Sequence, residues 1–147
     1  MSISHKRLKK DIRSLIKIKC DLKMLSENEL TFVLKGPKDS FYESGKWKIR
    51  MRIPKEYPFK SPSIGFIDKI FHPNVDEMSG TICMDVLNQE WTPIYRLINI
   101  YETFLPQLLT YPNPDDPLNS GAANLMKNNL TKFKNFVCQY ITKHKTY

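Results

Sequence analysis

Lys46-Trp47-Lys48-Ile49-Arg50-Met51-Arg52-Ile53 is the stretch that decides the fold. Trp47, Ile49, Met51 and Ile53 alternate with Lys46, Lys48, Arg50 and Arg52, a period of two that predicts a strand with one apolar face and one basic, wet face. The apolar face needs a helix against it. Upstream, the runs Lys19–Leu25 and Leu30–Gly36 are also rich in strand-forming residues, and Ser63–Ile67 repeats the pattern downstream. Ser26-Glu27-Asn28-Glu29 and Gly36-Pro37-Lys38-Asp39 supply the turns between them. Four short strands with brief connections predict an antiparallel meander.

Helices are expected on both sides of the strands. From His5 to Ile18, Leu8, Ile12, Leu15 and Ile16 recur at helical spacing among Lys6, Arg7, Lys9, Lys10 and Arg13. Pro54, Pro58, Pro62 and Pro73 then remove backbone donors, and irregular backbone is expected from about Asp68 to Trp91. Leu97, Ile98, Tyr101, Phe104, Leu105 and Leu108 predict a central buried helix, which Pro106 should kink or shorten. The prolines of Tyr111-Pro112-Asn113-Pro114-Asp115-Asp116-Pro117 prevent that segment from being helical throughout. Two further helices are expected, Gly121–Asn129 and Thr131–His144, with Thr131 as N-cap and Phe133, Phe136, Val137 and Tyr140 as the inward stripe. The expected class is α+β in a single domain spanning residues 1–147.

Composition excludes several functions. With 41% hydrophobic and 26% charged residues, neither disorder nor a membrane class is indicated. No run approaches the roughly 20 apolar residues of a bilayer span, and the basic start lacks an apolar signal region. A cytoplasmic or nuclear location is therefore expected. Cys20, Cys83 and Cys138 form no close pair, which argues against a disulfide framework or zinc site. His5, His72 and His144 stand far apart, so no metal centre is expected. The five glycines form no phosphate-cradling loop, so no bound nucleotide is expected either. Net charge is +8, with eight Lys or Arg in residues 1–23 and five Lys without an acid in residues 127–147. Because aromatics do not interleave with those basic runs, an acidic protein partner is preferred to nucleic acid.

Chemistry concentrates in His72-Pro73-Asn74, Gly80-Thr81-Ile82-Cys83-Met84-Asp85-Val86-Leu87 and Trp91-Thr92-Pro93. Tyr57-Pro58-Phe59-Lys60-Ser61-Pro62 precedes them and Asn113–Pro117 follows. In this order and spacing, over essentially the whole chain, the motifs resemble the ubiquitin-conjugating enzyme family. The likeness is greatest to its H-type enzymes, through Ser61-Pro62-Ser63-Ile64-Gly65-Phe66, Phe104-Leu105-Pro106-Gln107-Leu108-Leu109 and Tyr111-Pro112-Asn113-Pro114. Asn74 and Cys83 are nine positions apart, as in the H type and one more than in many members. The long acidic tail of many H-type enzymes is absent from this sequence.

The resemblance implies a fold with an N-terminal helix, a four-stranded antiparallel meander, an irregular active-site stretch, a central helix and two C-terminal helices. It implies a transferase that receives ubiquitin from an activating enzyme as a thioester on Cys83. With a ubiquitin ligase, of RING type, it would pass the modifier to a substrate lysine. ATP would be consumed by the activating enzyme, and no cofactor would be bound. A conjugating enzyme for another ubiquitin-like modifier is the alternative within the class; a non-catalytic ubiquitin-binding variant, which would lack the cysteine, is the alternative outside it.

Each candidate residue has a functional and a bland reading. Cys83 is a nucleophile or a buried thiol; its loop setting favours the nucleophile. No His or Lys lies within three residues of it, and Asp85 opposes thiolate formation, so a modestly reactive thiol is expected. Cys20 and Cys138 are read as fillers. Asn74 is the family's candidate donor to the carbonyl oxygen, or else it holds its own loop. His72, with Pro73, is expected to brace the turn rather than act as a base. Asp116 matches the acid that orients the incoming amine, with Asp115 the less certain partner, or both are turn formers. Phe59, Pro93 and Ile94 match ligase-receiving loop positions. Lys6, Arg7 and Lys10 match first-helix positions used by the activating enzyme and ligases, and Trp91 is read as core.

Overall fold

A computed structural model describes residues 3–82 and 91–147; Cys83 and Asp85 lie outside the described residues. Helix α1 is Ile3–Ile16, followed by strands β1 (Lys23–Ser26), β2 (Glu29–Lys35), β3 (Lys46–Arg52) and β4 (Ser63–Phe66). A central helical run comprises α2 (Leu97–Asn99), a π-helical turn (Ile100–Phe104) and α3 (Leu105–Thr110). Helices α4 (Ser120–Asn128) and α5 (Leu130–Lys143) complete the order. The sheet is an antiparallel meander in the order β1-β2-β3-β4.

Register turns the sequence alternation into two faces. Leu30, Phe32 and Leu34 stand opposite Met51, Ile49 and Trp47, and β4 adds Ile64 and Phe66 to that side. These side chains share one buried cluster with Leu97, Ile100, Leu105, Leu108 and Leu109 of the central run and with Phe133, Val137 and Ile141 of α5. Burying a large apolar side chain contributes about 1.5–3 kcal/mol, far more than a solvated lysine loses by staying outside. Lys48, Arg50 and Arg52 therefore remain exposed.

Several boundaries differ from the sequence expectation, each for a local reason. The first helix ends at Ile16, and the first strand begins at Lys23 rather than Lys19. Asp21 takes a left-handed backbone (φ 52°) that an extended strand cannot contain. Cys20 is consequently not in a strand, although its carbonyl accepts Val33 N–H at 2.7 Å and its side chain is buried. Thr131 is not the cap of the last helix: Asn129 is, its side chain accepting Lys132 N–H at 3.1 Å. The stretch expected to be irregular includes two antiparallel bridges, Gly65 with Thr81 and Val75 with Ile82.

Pro106 does not end the central run, which continues to Thr110. It follows the π-helical turn, in which Leu105 N–H reaches back to the Ile100 carbonyl. The wider turn accommodates a ring that would collide with the preceding carbonyl in a regular α-helix and a residue that has no N–H to give.

Candidate active site

Hydrogen bonds stitch the His72–Glu77 segment to the end of the central run and the loop after it. His72 Nε2 donates to the Leu108 carbonyl at 2.8 Å, and the Pro73 carbonyl accepts Leu118 N–H (2.8 Å) and Asn119 N–H (3.0 Å). Asn74 Nδ2 donates to the Asn113 carbonyl at 2.8 Å and to the Asp116 carbonyl at 3.3 Å, and its Oδ1 accepts Asn113 N–H at 2.8 Å. Asn119 Nδ2 donates to Glu77 Oε2 at 3.1 Å, while Asn119 Oδ1 caps α4 by accepting Ala122 N–H. Asn74 is only 2% exposed, so both its amide hydrogens are committed away from solvent.

His72 is wholly buried and stacked on Tyr42, with ring centroids 5.2 Å apart. Its Nδ1 accepts Asn74 N–H at 2.9 Å, which assigns the proton to Nε2 and leaves neither nitrogen for a substrate. Burial holds its pKa down at about 4, with the Leu108 carbonyl opposing that shift only in part. The ring is neutral at physiological pH and acts as a spacer between its own loop and the end of the central run.

The other flank is the Asp76–Gly80 turn. Asp76 Oδ2 accepts Ser79 N–H at 2.9 Å, and the Ser79 hydroxyl and amide lower the Asp76 pKa. Gly80 is in the left-handed region (φ 76°), and a Cβ there would stand 1.9 Å from the Phe66 carbonyl oxygen. Only glycine permits this approach, through which Phe66 N–H reaches the Gly80 carbonyl at 2.7 Å. Ile82, the residue before Cys83 in the chain, pairs in turn with Val75, the residue after Asn74.

Asp116 is exposed, and its backbone carbonyl is the group that Asn74 holds. Asp115 points its carboxylate to Lys127 Nζ at 3.4 Å instead. Among the described cysteines, Cys20 is buried, which raises its thiol pKa, and Cys138 is exposed on α5. No group of His, Cys, Asp and Glu among the described residues could hold a metal ion.

Away from this centre, Phe59 and Ile94 stand 72% and 87% exposed on two loops, and Pro93, Lys6 and Lys10 are exposed as well. Arg7 is different. Its Nε pairs with Asp11 Oδ2 at 2.8 Å, Nη1 donates to the Pro93 carbonyl at 2.7 Å, and Nη2 donates to the Tyr95 carbonyl. Trp91 is half-buried against the core, with its indole N–H on the Pro58 carbonyl at 2.8 Å. Sequence reasoning passed over Asp11 and Asn119. The Arg7–Asp11 spacing of four was a usable signal, whereas nothing local marked Asn119.

The family model described as ubiquitin-conjugating enzyme matches residues 4–141. An Arabidopsis thaliana protein named ubiquitin-conjugating enzyme E2 5 is 50% identical over 146 residues, covering 98% of this chain and 79% of that protein. The Saccharomyces cerevisiae ubiquitin-conjugating enzyme E2-24 kDa is 43% identical over 148 residues, covering 99% of this chain and 68% of that protein. The solved structure of the H. polymorpha ubiquitin-conjugating enzyme Pex4p, in complex with the soluble domain of Pex22p, superposes with a TM-score of 0.89 at 30% identity, covering 99% of this chain and 100% of that one. The chain belongs to the ubiquitin-conjugating enzyme family. It is an enzyme that transfers ubiquitin, and its family implies an activating enzyme and a ligase as partners.

Proposed function

We propose that ubiquitin is carried as a thioester on Cys83 and passed to a lysine amine oriented by Asp116, on a loop that Asn74 holds in place. The observation supporting this most directly is the closure of the Asn74 side chain on the backbone of Asn113 and Asp116. Ile82, which precedes Cys83 in sequence, pairs with the neighbour of Asn74, so the described chain up to Ile82 and the Asp116 loop share one brace.

In loading, the Cys83 sulfur bonds to the ubiquitin carbonyl as the activating enzyme's cysteine leaves as a thiol, so one thioester replaces another, the step is nearly balanced in energy, and Cys83 needs no strong activation. Asp85, two positions on in the sequence, would oppose thiolate formation rather than assist it. Discharge is more demanding, because an amine with pKa about 10.4 must arrive unprotonated at the carbonyl. The Asp116 carboxylate attracts and orients it. Charge that develops on the carbonyl oxygen requires a donor. Asn74 serves first as a brace, and it donates to that oxygen only by exchanging one of its present bonds, the 3.3 Å contact to Asp116 being the longer.

In this reading a RING-type ligase docks on Phe59, Pro93 and Ile94, the activating enzyme meets Lys6 and Lys10, and ATP is consumed by that enzyme alone. The work takes place in the cytosol or nucleus, where free thiols such as Cys20 and Cys138 stay reduced. Incubation with ubiquitin, activating enzyme and ATP tests the reading on a non-reducing gel. A thiol-sensitive adduct is expected, becoming a stable oxyester or vanishing in Cys83→Ser and persisting in Cys20→Ser and Cys138→Ser. Loading that survives loss of Cys83 overturns it.

A further inference from the structure

Asp11 is completely buried, and its Oδ2 takes donors from two directions: Arg7 Nε at 2.8 Å and the Tyr57 hydroxyl. Each donor leads to a different loop. Arg7 continues to the carbonyls of Pro93 and Tyr95 and so grips the chain on both sides of Ile94. Tyr57 lies within the turn that carries Phe59, whose N–H bonds to the Glu56 carbonyl at 2.8 Å. Trp91 closes the circuit. Its indole N–H holds the Pro58 carbonyl, and its ring lies 5.9 Å from the rings of both Tyr57 and Tyr95.

We propose that Asp11 is a positioning residue, which through Arg7 and Tyr57 sets the spacing of the two loops that present Phe59 and Ile94 to a ligase. The proposal rests on the reading of those two side chains as ligase contacts. A buried ion pair gains little stability over apolar packing of the same shape, so its use here calls for a further reason. Direction is that reason: the planar guanidinium offers its N–H groups in a fixed fork, and one carboxylate fixes the plane of that fork. Asp11 Oδ1 has no hydrogen-bond partner among the described residues, so Oδ2 alone joins the two arms.

Amide hydrogen exchange at Tyr57, Phe59 and Lys60 and at Ile94, Tyr95 and Arg96 tests the clamp without any ligase. Tyr57→Phe, which removes one hydrogen bond, should speed exchange in the first loop only, by roughly ten-fold, and Arg7→Gln, which removes three, should speed it in the second only, by at least as much. Asp11→Asn, which keeps the shape but removes the charge, should speed both. These single-arm variants keep the test open if Asp11→Asn fails to fold. Unchanged exchange in Asp11→Asn, or in both single-arm variants, overturns the clamp.

Discharge of the preloaded enzyme to free lysine, titrated with a RING domain chosen because it stimulates the parent enzyme, tests the positioning role. Asp11→Asn should need roughly ten-fold more RING domain for half-maximal stimulation, with ligase-free discharge and the maximal rate changed by less than about two-fold. A merely structural role would lower ligase-free discharge and leave the half-saturating concentration unmoved, and that result overturns the proposal. Phe59→Ala and Ile94→Ala separate the two claims. If they do not shift the titration, the ligase reading of the loops has failed; if they shift it while Asp11→Asn does not, the positioning role alone has failed.

Discussion

Asn74 and Asn113 hold each other by two hydrogen bonds of 2.8 Å, the Asn74 side-chain amide matching both polar atoms of one backbone residue. A side chain matched this way behaves as an extra piece of backbone. The loop leading to Asp116 is thereby fixed relative to the segment whose neighbour pairs with Ile82.

Asn74→Ala should therefore lower stability as well as activity. It removes three hydrogen bonds and leaves the Asn113 N–H without its partner, a loss on the order of 1–3 kcal/mol. Thermal unfolding should shift down by several degrees, and single-turnover discharge should slow by roughly ten- to a thousand-fold. A slow variant with an unshifted melting temperature would instead assign Asn74 to the oxyanion alone.

His72 should appear in the stability of the protein and not in its chemistry. Its folded-state pKa of about 4 lies below the ordinary 6.5 because burial disfavours the charged ring. The unfolded chain takes up the proton first, so the contribution of this group is complete above about pH 6.5 and is lost as pH falls toward 4, a loss of about 3 kcal/mol. Denaturant unfolding from pH 7 to 4.5 should show that slope in the parent and a flatter one in His72→Gln. An inflection in discharge between pH 6 and 7 that His72→Gln removes would contradict the assignment.

The basic residues of α1 divide into two kinds. Lys6 and Lys10 are exposed, so reversing both to Glu should slow loading mainly at low salt, where screening is weak, and leave melting unchanged. Arg7→Glu removes a partner from the buried Asp11 and sets a second carboxylate beside it, which should cost about 3–5 kcal/mol. Loading at about 50 and 500 mM salt, read beside thermal melts, distinguishes them. If all three reversals lower the melting temperature alike, the distinction is wrong.

The meander was legible because its signal is local: Trp47, Ile49 and Met51 alternate with basic residues whatever else the chain does. The start of β1 was not, since Cys20 and Leu22 fit a strand by composition while the left-handed Asp21 between them does not. Cys83, Asn74, His72 and Asp116 could be singled out because motif order carries them. What Asn74 touches could not be read, because its partner Asn113 is 39 positions away and any loop asparagine looks like a turn former. Asp11 escaped for a related reason. On α1 it has the helical spacing of a solvated charge, and its burial depends on where Tyr57 lands, 46 positions later.

Asp116 is the residue whose role separates charging from discharge most cleanly. Thiol exchange onto Cys83 involves no amine, so its carboxylate has no ammonium to orient during loading. Discharge to lysine does require that. Asp116→Ala should load within about two-fold of the parent yet discharge roughly ten- to a hundred-fold more slowly at pH 7. Its backbone carbonyl remains in place for Asn74, so the loop should keep its shape and the melting temperature should hardly move. Asp115→Ala is the control on the same turn, because its carboxylate engages Lys127 at an exposed position where an ion pair contributes little, and discharge should be near normal. Raising the pH toward the amine's pKa of about 10.4 increases the fraction of free amine, which should partly rescue Asp116→Ala and should rescue Asn74→Ala no better than the parent. Single-turnover discharge to free lysine between about pH 7 and 9.5 measures this. Discharge unaffected by loss of Asp116, or slowed equally by loss of Asp115, would reduce Asp116 to a turn former beside Pro117.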